Sequence, residues 1–219
     1  IDGFAEWQSQ PVKRGEPIEH KAITVRHLLN HTSGLAPGIH APSFVERYDK
    51  SWGNVEKQNL RDSLITYLAK DAVRNSCPGE KMRYSCLNFI TLQAIVEKIS
   101  GQRLDMFARD MIFAPLRWKN TWYNPIDEAN KPFTAATPIV PTSIEAEGRL
   151  LRGEVHDPTA RIVNRGVSGN AGLFSTAEDL AAVASMLMNG GKYSAPREGL
   201  LGKLGFQQSK QLYSHHCVD

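Results

Sequence analysis

Cysteine is scarce: the 219 residues hold only Cys77, Cys86 and Cys217. An odd count at irregular spacing leaves no C-x-x-C pair, which argues against a structural zinc knuckle and a thioredoxin-type redox motif. Cys77 and Cys86 read as isolated thiols, although spacing alone leaves a bridge between them undecided. Long apolar runs are missing too. A membrane-spanning segment needs roughly 18 or more consecutive apolar residues. The longest helical apolar face here, over 180–188, is broken by Ser185 and ends in Asn189-Gly190-Gly191. Nor is there an excess of one charge: 26 Lys and Arg against 23 Asp and Glu leave a net +3. The basic residues are dispersed and not interleaved with aromatics, so a nucleic-acid interface is not expected. No basic amphipathic helix marks a membrane surface. Repeats and low-complexity linkers are also lacking. The first residues carry no signal-segment pattern and the sequence begins at Ile1, so localisation stays open.

What is present is ordinary for a globular protein: 41% apolar and 22% charged residues. A chain of this length buries about 70% of its unfolded surface, so it needs no disulfide or metal to fold. Collagen, disordered and coiled-coil compositions are excluded. The expected organisation is one domain over 1–219, with 192–219 as a weakly patterned tail.

Periodicity gives a largely helical segment with irregular loops. Thr24 caps a short helix bearing Val25, Leu28 and Leu29, and Gly34 ends it. Residues 1–22 and 36–58 read as loop. A second helix is predicted over about 60–73, with Leu60, Leu64, Ile65, Leu68 and Ala69 on one stripe. A third carries Phe89, Leu92, Ile95, Val96 and Ile99 at helical spacing, with Gly101 as its C-cap. A fourth carries Leu104, Phe107, Ala108, Met111 and Ile112 and stops at Pro115. Residues 118–123 read as a short strand, and 125–170 as a long irregular stretch of the kind that covers a site or packs as an ordered surface loop. Ser175-Thr176-Ala177-Glu178 reads as a capping box before the face Leu180, Val183, Ala184, Leu187 and Met188.

Several clusters could carry chemistry. His27 and His31 share a helix face as two zinc ligands would. The general-base Glu of a metalloprotease is absent, since Leu28 follows His27, and no third ligand is evident. Both therefore read as packed, hydrogen-bonding histidines, and neither a metal nor a cofactor is expected. Gly166-Val167-Ser168-Gly169-Asn170 nearly matches the nucleophile elbow G-x-S-x-G but ends in Asn170. It also lacks the Gly-Lys-Ser/Thr ending of a phosphate-binding loop. It reads as a tight, closely packed loop. His156-Asp157 and His215-His216-Cys217 read as a surface loop and a frayed terminus.

Taken in order, several blocks carry a resemblance. Ile23–Leu35 (ITVRHLLNHTSGL), Pro78–Cys86 (PGEKMRYSC), the helix through Ile99-Ser100-Gly101, Ile112–Leu116 (IFAPL) with Asn120-Thr121, and Gly169–Thr176 (GNAGLFST) together span about residues 20–192. They resemble the serine β-lactamase-related family of the class C type, which groups β-lactamases, D,D-peptidases and esterases. The resemblance implies an α+β fold, β-lactamase/transpeptidase-like, of which this chain supplies mostly the helical part, predominantly α with long loops.

It also implies acyl transfer on a serine. The serine of an S-x-x-K motif attacks a carbonyl, while the Lys and the Tyr of a Y-x-N motif manage its proton. Tyr84 takes the tyrosine's place and Cys86 that of the Asn, as a substrate-binding position. A thiol donates and accepts weakly where an amide offers two donors and an acceptor. None of the serines begins an S-x-x-K, and no K-T-G or H-x-G occurs. The resemblance places those motifs beyond the two ends of the sequence, so the 219 residues alone are expected to be inactive. The implied substrate is a small molecule or a peptidoglycan-type amide, ester or β-lactam, in the cell envelope or outside the cell. An exposed apolar face that could self-associate is expected as well. The alternatives are a non-catalytic binding or scaffold member of the same fold, which Cys86 motivates, and a metallohydrolase on His27 and His31.

Overall fold

The computed structural model describes residues 22–39, 43–44, 60–70, 72, 74–125, 138–145 and 148–192. The loop readings at 1–21 and over most of 36–58, and the tail with His215, His216 and Cys217, lie outside the described residues. The chain falls into two compact units, one drawn from Ile1–Leu104 and Asn124–Gly172, the other from Asp105–Tyr123 and Leu173–Asp219.

Among the described residues, the core of the first unit rests chiefly on three helices. Helix α1, Val25–Leu29, opens on Thr24, whose hydroxyl accepts from the His27 N–H while the His27 Nδ1 accepts from the Thr24 N–H. This reciprocal cap satisfies two donors that a helix start would otherwise leave bare. Helix α2, Leu60–Lys70, falls within the predicted 60–73; Ala72 is no longer helical, and residues 71 and 73 lie outside the described set. Its Leu60, Leu64 and Leu68 recur every fourth residue and are all buried. Helix α3, Cys86–Ser100, is capped by the Ser85 hydroxyl on the Leu87 N–H and closes at Gly101, whose φ is +69°. Leu28, Leu35, Phe44, Leu60, Leu64, Leu68, Ala72, Leu87, Ile90 and Val163 form the core. Each such leucine contributes about 1.5–3 kcal/mol by leaving water.

The predicted face of α3 is met in part: Leu92 and Ile95 pack against the core from partly buried positions. Leu87, Ile90 and Ala94 are buried, together with the polar Asn88, Thr91 and Gln93, whereas Ile99 is 81% exposed. Burial of these polar side chains is sustained because each is paired. Thr91 donates to the Leu87 carbonyl at 2.8 Å. Gln93 donates to the Val167 carbonyl at 3.1 Å and accepts from the Gly169 N–H at 2.8 Å. The glycine loop thus lies directly on α3. A Cβ at Gly169 would sit 2.2 Å from the Phe89 carbonyl oxygen, so only glycine fits. Ser168 is buried, accepting from Asn164 at 2.8 Å and donating to Asn170 at 2.6 Å. This geometry suits the closely packed loop, not an exposed nucleophile.

The second unit starts from α4, Leu104–Ala108, whose first residue belongs to the other unit. The helix does not stop at Pro115. It widens into a π-helical turn, Arg109–Phe113, and continues as α5, Ala114–Leu116, with Pro115 near its start. Proline has no N–H for the carbonyl four residues back and clashes with it; the wider turn shifts that register.

Strand β1, Trp122–Tyr123, lies within the predicted 118–123 stretch. In the first unit β2, Ser143–Ile144, pairs antiparallel with β3, Leu150–Leu151. In the second, β1 pairs antiparallel with β4, Leu173–Phe174, with Trp122 opposite Phe174. Helix α6, Ala177–Met188, is capped by Thr176, not by Ser175: the Thr176 hydroxyl accepts from the Asp179 N–H. The Asp179 carboxylate accepts from the Asn120 N–H at 3.0 Å and the Thr121 hydroxyl at 2.7 Å, while Ser175 pairs with Thr121. Leu180, Leu187 and Met188 are exposed along α6.

Candidate active site

The candidate site lies in the first unit, where the end of α1 meets the start of α3. After α1 the chain turns sharply at His31, whose φ is +59°, a left-handed conformation rare for a side chain with a Cβ. This turn aims the imidazole at the segment entering α3. Its Nδ1 accepts from the Ser85 N–H at 3.3 Å and lies 3.0 Å from the Asn88 amide nitrogen. Its ring packs against Tyr84, centroids 4.7 Å apart, and Phe89, 5.3 Å apart.

Asn88 is fully buried and takes a short hydrogen bond from the Ser33 hydroxyl on its carbonyl oxygen. That bond turns the Asn88 NH2 toward His31. Ser33 Oγ also accepts from the Leu35 N–H. The loop is fastened from the other side by the Cys86 N–H on the Pro37 carbonyl, 2.8 Å, and the Ser85 hydroxyl on the Ala36 carbonyl, 2.6 Å. A fixed polar scaffold of this kind determines where an exposed side chain next to it points.

Tyr84 is such a side chain, set between the hydrogen-bonded N–H groups of Arg83 and Ser85. It is 60% exposed and carries its phenol at the surface of the loop. The Cys86 thiol lies 3.8 Å from the phenol oxygen, the length of a sulfur hydrogen bond. The structure thus brings the two sequence-derived site residues together. Asn88 sits elsewhere on the first turn of α3 and does not replace Cys86. Cys77 and Cys86 are both free thiols.

The Tyr84 pKa is raised above the ordinary tyrosine value. The hydrogen bond to Cys86 is the largest cause, followed by the charge of Cys86, partial desolvation and the charge of Asp157. All four disfavour phenolate. Asp157 also caps the turn Thr159–Val163 by accepting from the Ala160 N–H at 2.7 Å. This gives structural work to a residue that reads in sequence as mere surface.

Removing the sulfur tests the assignment. Cys86→Ala is expected to lower the Tyr84 titration midpoint toward that of free tyrosine. The readout is tyrosinate absorbance against pH, differenced against Tyr84→Phe. An unmoved midpoint would show that Cys86 does not govern the phenol.

His27 and His31 each engage Nδ1 with a separate backbone donor: that of His27 is held by the Thr24 N–H and that of His31 by the Ser85 N–H. Among the described residues no group of three His, Cys, Asp or Glu side chains could hold a metal ion. Sequence reasoning missed Ser33, Asn88 and the clamping role of His31. The left-handed turn at His31 is not encoded by residue type, and the partners lie more than fifty positions apart.

A family model described as Beta-lactamase matches residues 9–208. A Bacillus subtilis (strain 168) protein named N-acetylmuramyl-L-alanine amidase is 35% identical over 188 residues, covering 82% of this chain and 41% of that protein. An Escherichia coli (strain K12) protein named "Putative D-alanyl-D-alanine carboxypeptidase" is 35% identical over 205 residues, covering 88% and 44%. The chain therefore spans less than half the length of these curated relatives. Among solved structures, a D-stereospecific amidohydrolase from Streptomyces sp. superposes with a TM-score of 0.56 at 23% identity, covering 86% of this chain and 53% of that one. That likeness is one of fold. No helix among the described residues is long and apolar enough to cross a membrane.

Proposed function

The chain belongs to the beta-lactamase family, and from that premise we propose that it carries the helical part and the proton-carrying tyrosine of a serine hydrolase. The reaction is acyl transfer: a serine hydroxyl attacks an amide, ester or β-lactam carbonyl, the leaving group departs protonated, and water later releases the acyl group. The names of the two relatives favour a peptidoglycan-type amide. A serine hydroxyl is a weak nucleophile at neutral pH and needs a neighbour to take its proton. The observation that carries the proposal is the Tyr84 phenol, exposed on a loop whose flanking backbone is hydrogen-bonded on both sides.

A phenol whose pKa is raised keeps its proton at neutral pH, which suits giving one to a leaving group. Taking one from serine requires a nearby cation to lower that pKa. The Lys of an S-x-x-K segment would supply it. No such segment occurs in the 219 residues, and they are proposed to form one incomplete domain with 192–219 as a tail.

The test has two arms. The 219-residue chain is expected to turn over neither nitrocefin nor p-nitrophenyl acetate. A chimera, in which this chain replaces the 188-residue matched stretch of the Bacillus subtilis relative, is expected to turn over at least one of them or a muramyl-peptide amide. A chimera that folds, by circular dichroism and a cooperative melt, yet turns over none of these defeats the enzymatic reading. It would favour the binding or scaffold alternative, for which Cys86 in place of Asn is the specific motive.

A further inference from the structure

We infer that His31 is the positioning residue for Tyr84, holding the phenol through the two peptide groups on either side of it. The inference rests on the reading of Tyr84 as proton carrier only for its effect on rate; the geometry stands by itself. The His31 carbonyl accepts from the Arg83 N–H at 2.8 Å, and the His31 Nδ1 accepts from the Ser85 N–H at 3.3 Å. One residue therefore grips the backbone immediately before and immediately after Tyr84. Its ring then lies against the Tyr84 ring, centroids 4.7 Å apart at 42°, and limits the tyrosine's side-chain rotation.

Three features make this a built arrangement. A backbone N–H can only donate, so Nδ1 must be unprotonated where it meets Ser85, and the neutral ring carries its proton on Nε2. Asn88 supports the same tautomer: its oxygen is engaged by Ser33, which leaves its NH2 to donate to that Nδ1, whose single lone pair it shares with the Ser85 N–H. Both hold the imidazole in place as outer partners orient a functional group. Finally, His31 occupies a left-handed backbone conformation at φ +59°, costly for a residue with a Cβ. Strain of this kind persists where the surroundings over-determine it and clusters at functional sites.

The experiment uses the 219-residue chain and the chimera with two substitutions. His31→Gly accepts the left-handed backbone and removes ring and Nδ1 together. His31→Asn also tolerates that backbone and keeps an acceptor, its amide oxygen, without the ring. By NMR, His31→Gly is expected to speed Ser85 amide exchange about five- to tenfold, the effect of losing one hydrogen bond of about 1 to 1.4 kcal/mol. It should also return the Tyr84 ring-proton shifts to those of an exposed tyrosine. His31→Asn is expected to keep Ser85 protected and still lose the Tyr84 shifts. In the chimera both should lower kcat about tenfold with KM unchanged.

Unaltered Tyr84 shifts in a folded His31→Gly chain overturn the inference. If that variant does not fold, the same reading is taken from His31→Asn. A chimera slowed by Tyr84→Phe but not by His31→Gly also overturns it. A chimera that Tyr84→Phe leaves unchanged defeats the proton-carrier reading instead, and the ring shifts then judge His31 alone.

Discussion

Tyr84→Phe is expected to lower kcat of the chimera by about 100- to 10,000-fold while leaving KM and the melting temperature almost unchanged. The range is that of a positioned general acid–base group. Even its lower end corresponds to about 2.7 kcal/mol of transition-state stabilisation. The small effect on stability follows from the site. Phenylalanine keeps the ring that packs on His31, and the hydroxyl it removes is exposed, with only a long contact to the Cys86 sulfur. A large kinetic loss without a stability loss separates a proton carrier from a packing residue.

The pH profile adds a sign. The groups around Tyr84 raise its pKa in this chain, with the Cys86 hydrogen bond foremost. If the phenolate is the form that takes the serine proton, the rate rises with pH as phenolate fills, and Cys86→Ala moves that rise to lower pH. A folded chimera whose kcat changes less than about threefold on Tyr84→Phe removes the tyrosine from the mechanism.

How much of this was readable in the sequence depends on the distance over which each feature is decided. Helix α2 was legible because Leu60, Leu64 and Leu68 recur at the spacing of one turn and face a single core. The end of α3 was legible because Gly101 reaches the left-handed conformation more readily than any other residue. Tyr84 and Cys86 were picked out as motif positions, but their 3.8 Å contact was not, because side chains two apart meet only where the local backbone turns them together.

The face of α3 was legible only in part. Of the stripe Phe89, Leu92, Ile95, Val96 and Ile99, Leu92 and Ile95 pack against the core and Ile99 is exposed, but Asn88 is buried by Ser33, 55 positions away, and Gln93 by residues more than seventy positions on. The cap of α6 failed for a similar reason. Ser175 with Glu178 and Thr176 with Asp179 fit the same local pattern one residue apart. The choice falls to Asp179, whose carboxylate is taken up by Asn120 and Thr121 almost sixty residues earlier. Tertiary contacts decide what two equal local signals cannot.

The largest expected stability loss belongs to Gly34, and a second glycine isolates its cause. Gly34 and Gly101 both hold left-handed backbone, at φ +81° and +69°. At Gly101 a Cβ would meet nothing within 4 Å, so Gly101→Ala carries only the conformational penalty, about 1 kcal/mol. At Gly34 a Cβ would lie 2.0 Å from the Ser76 carbonyl oxygen. That oxygen cannot simply move aside. The Gly34 carbonyl accepts from the Asn75 N–H at 2.6 Å, Leu35 forms a bridge with Arg74, and the Thr32 carbonyl accepts from the Gly79 N–H at 2.8 Å.

Residues 32–35 and 74–79 are thus locked side by side, and a methyl group between them must break part of that lock. Gly34→Ala is therefore expected to cost about 3 kcal/mol or more, the conformational penalty plus the overpacking strain of a tight core. Urea denaturation of the two alanine variants measures the difference directly. The displacement also reaches function, because the segment that the added methyl would push away leads through Pro78 and Gly79 into Tyr84. Equal losses at the two glycines would mean that residues 34 and 76 can move apart at little cost, and that the scaffold under Tyr84 is looser than its hydrogen bonds imply.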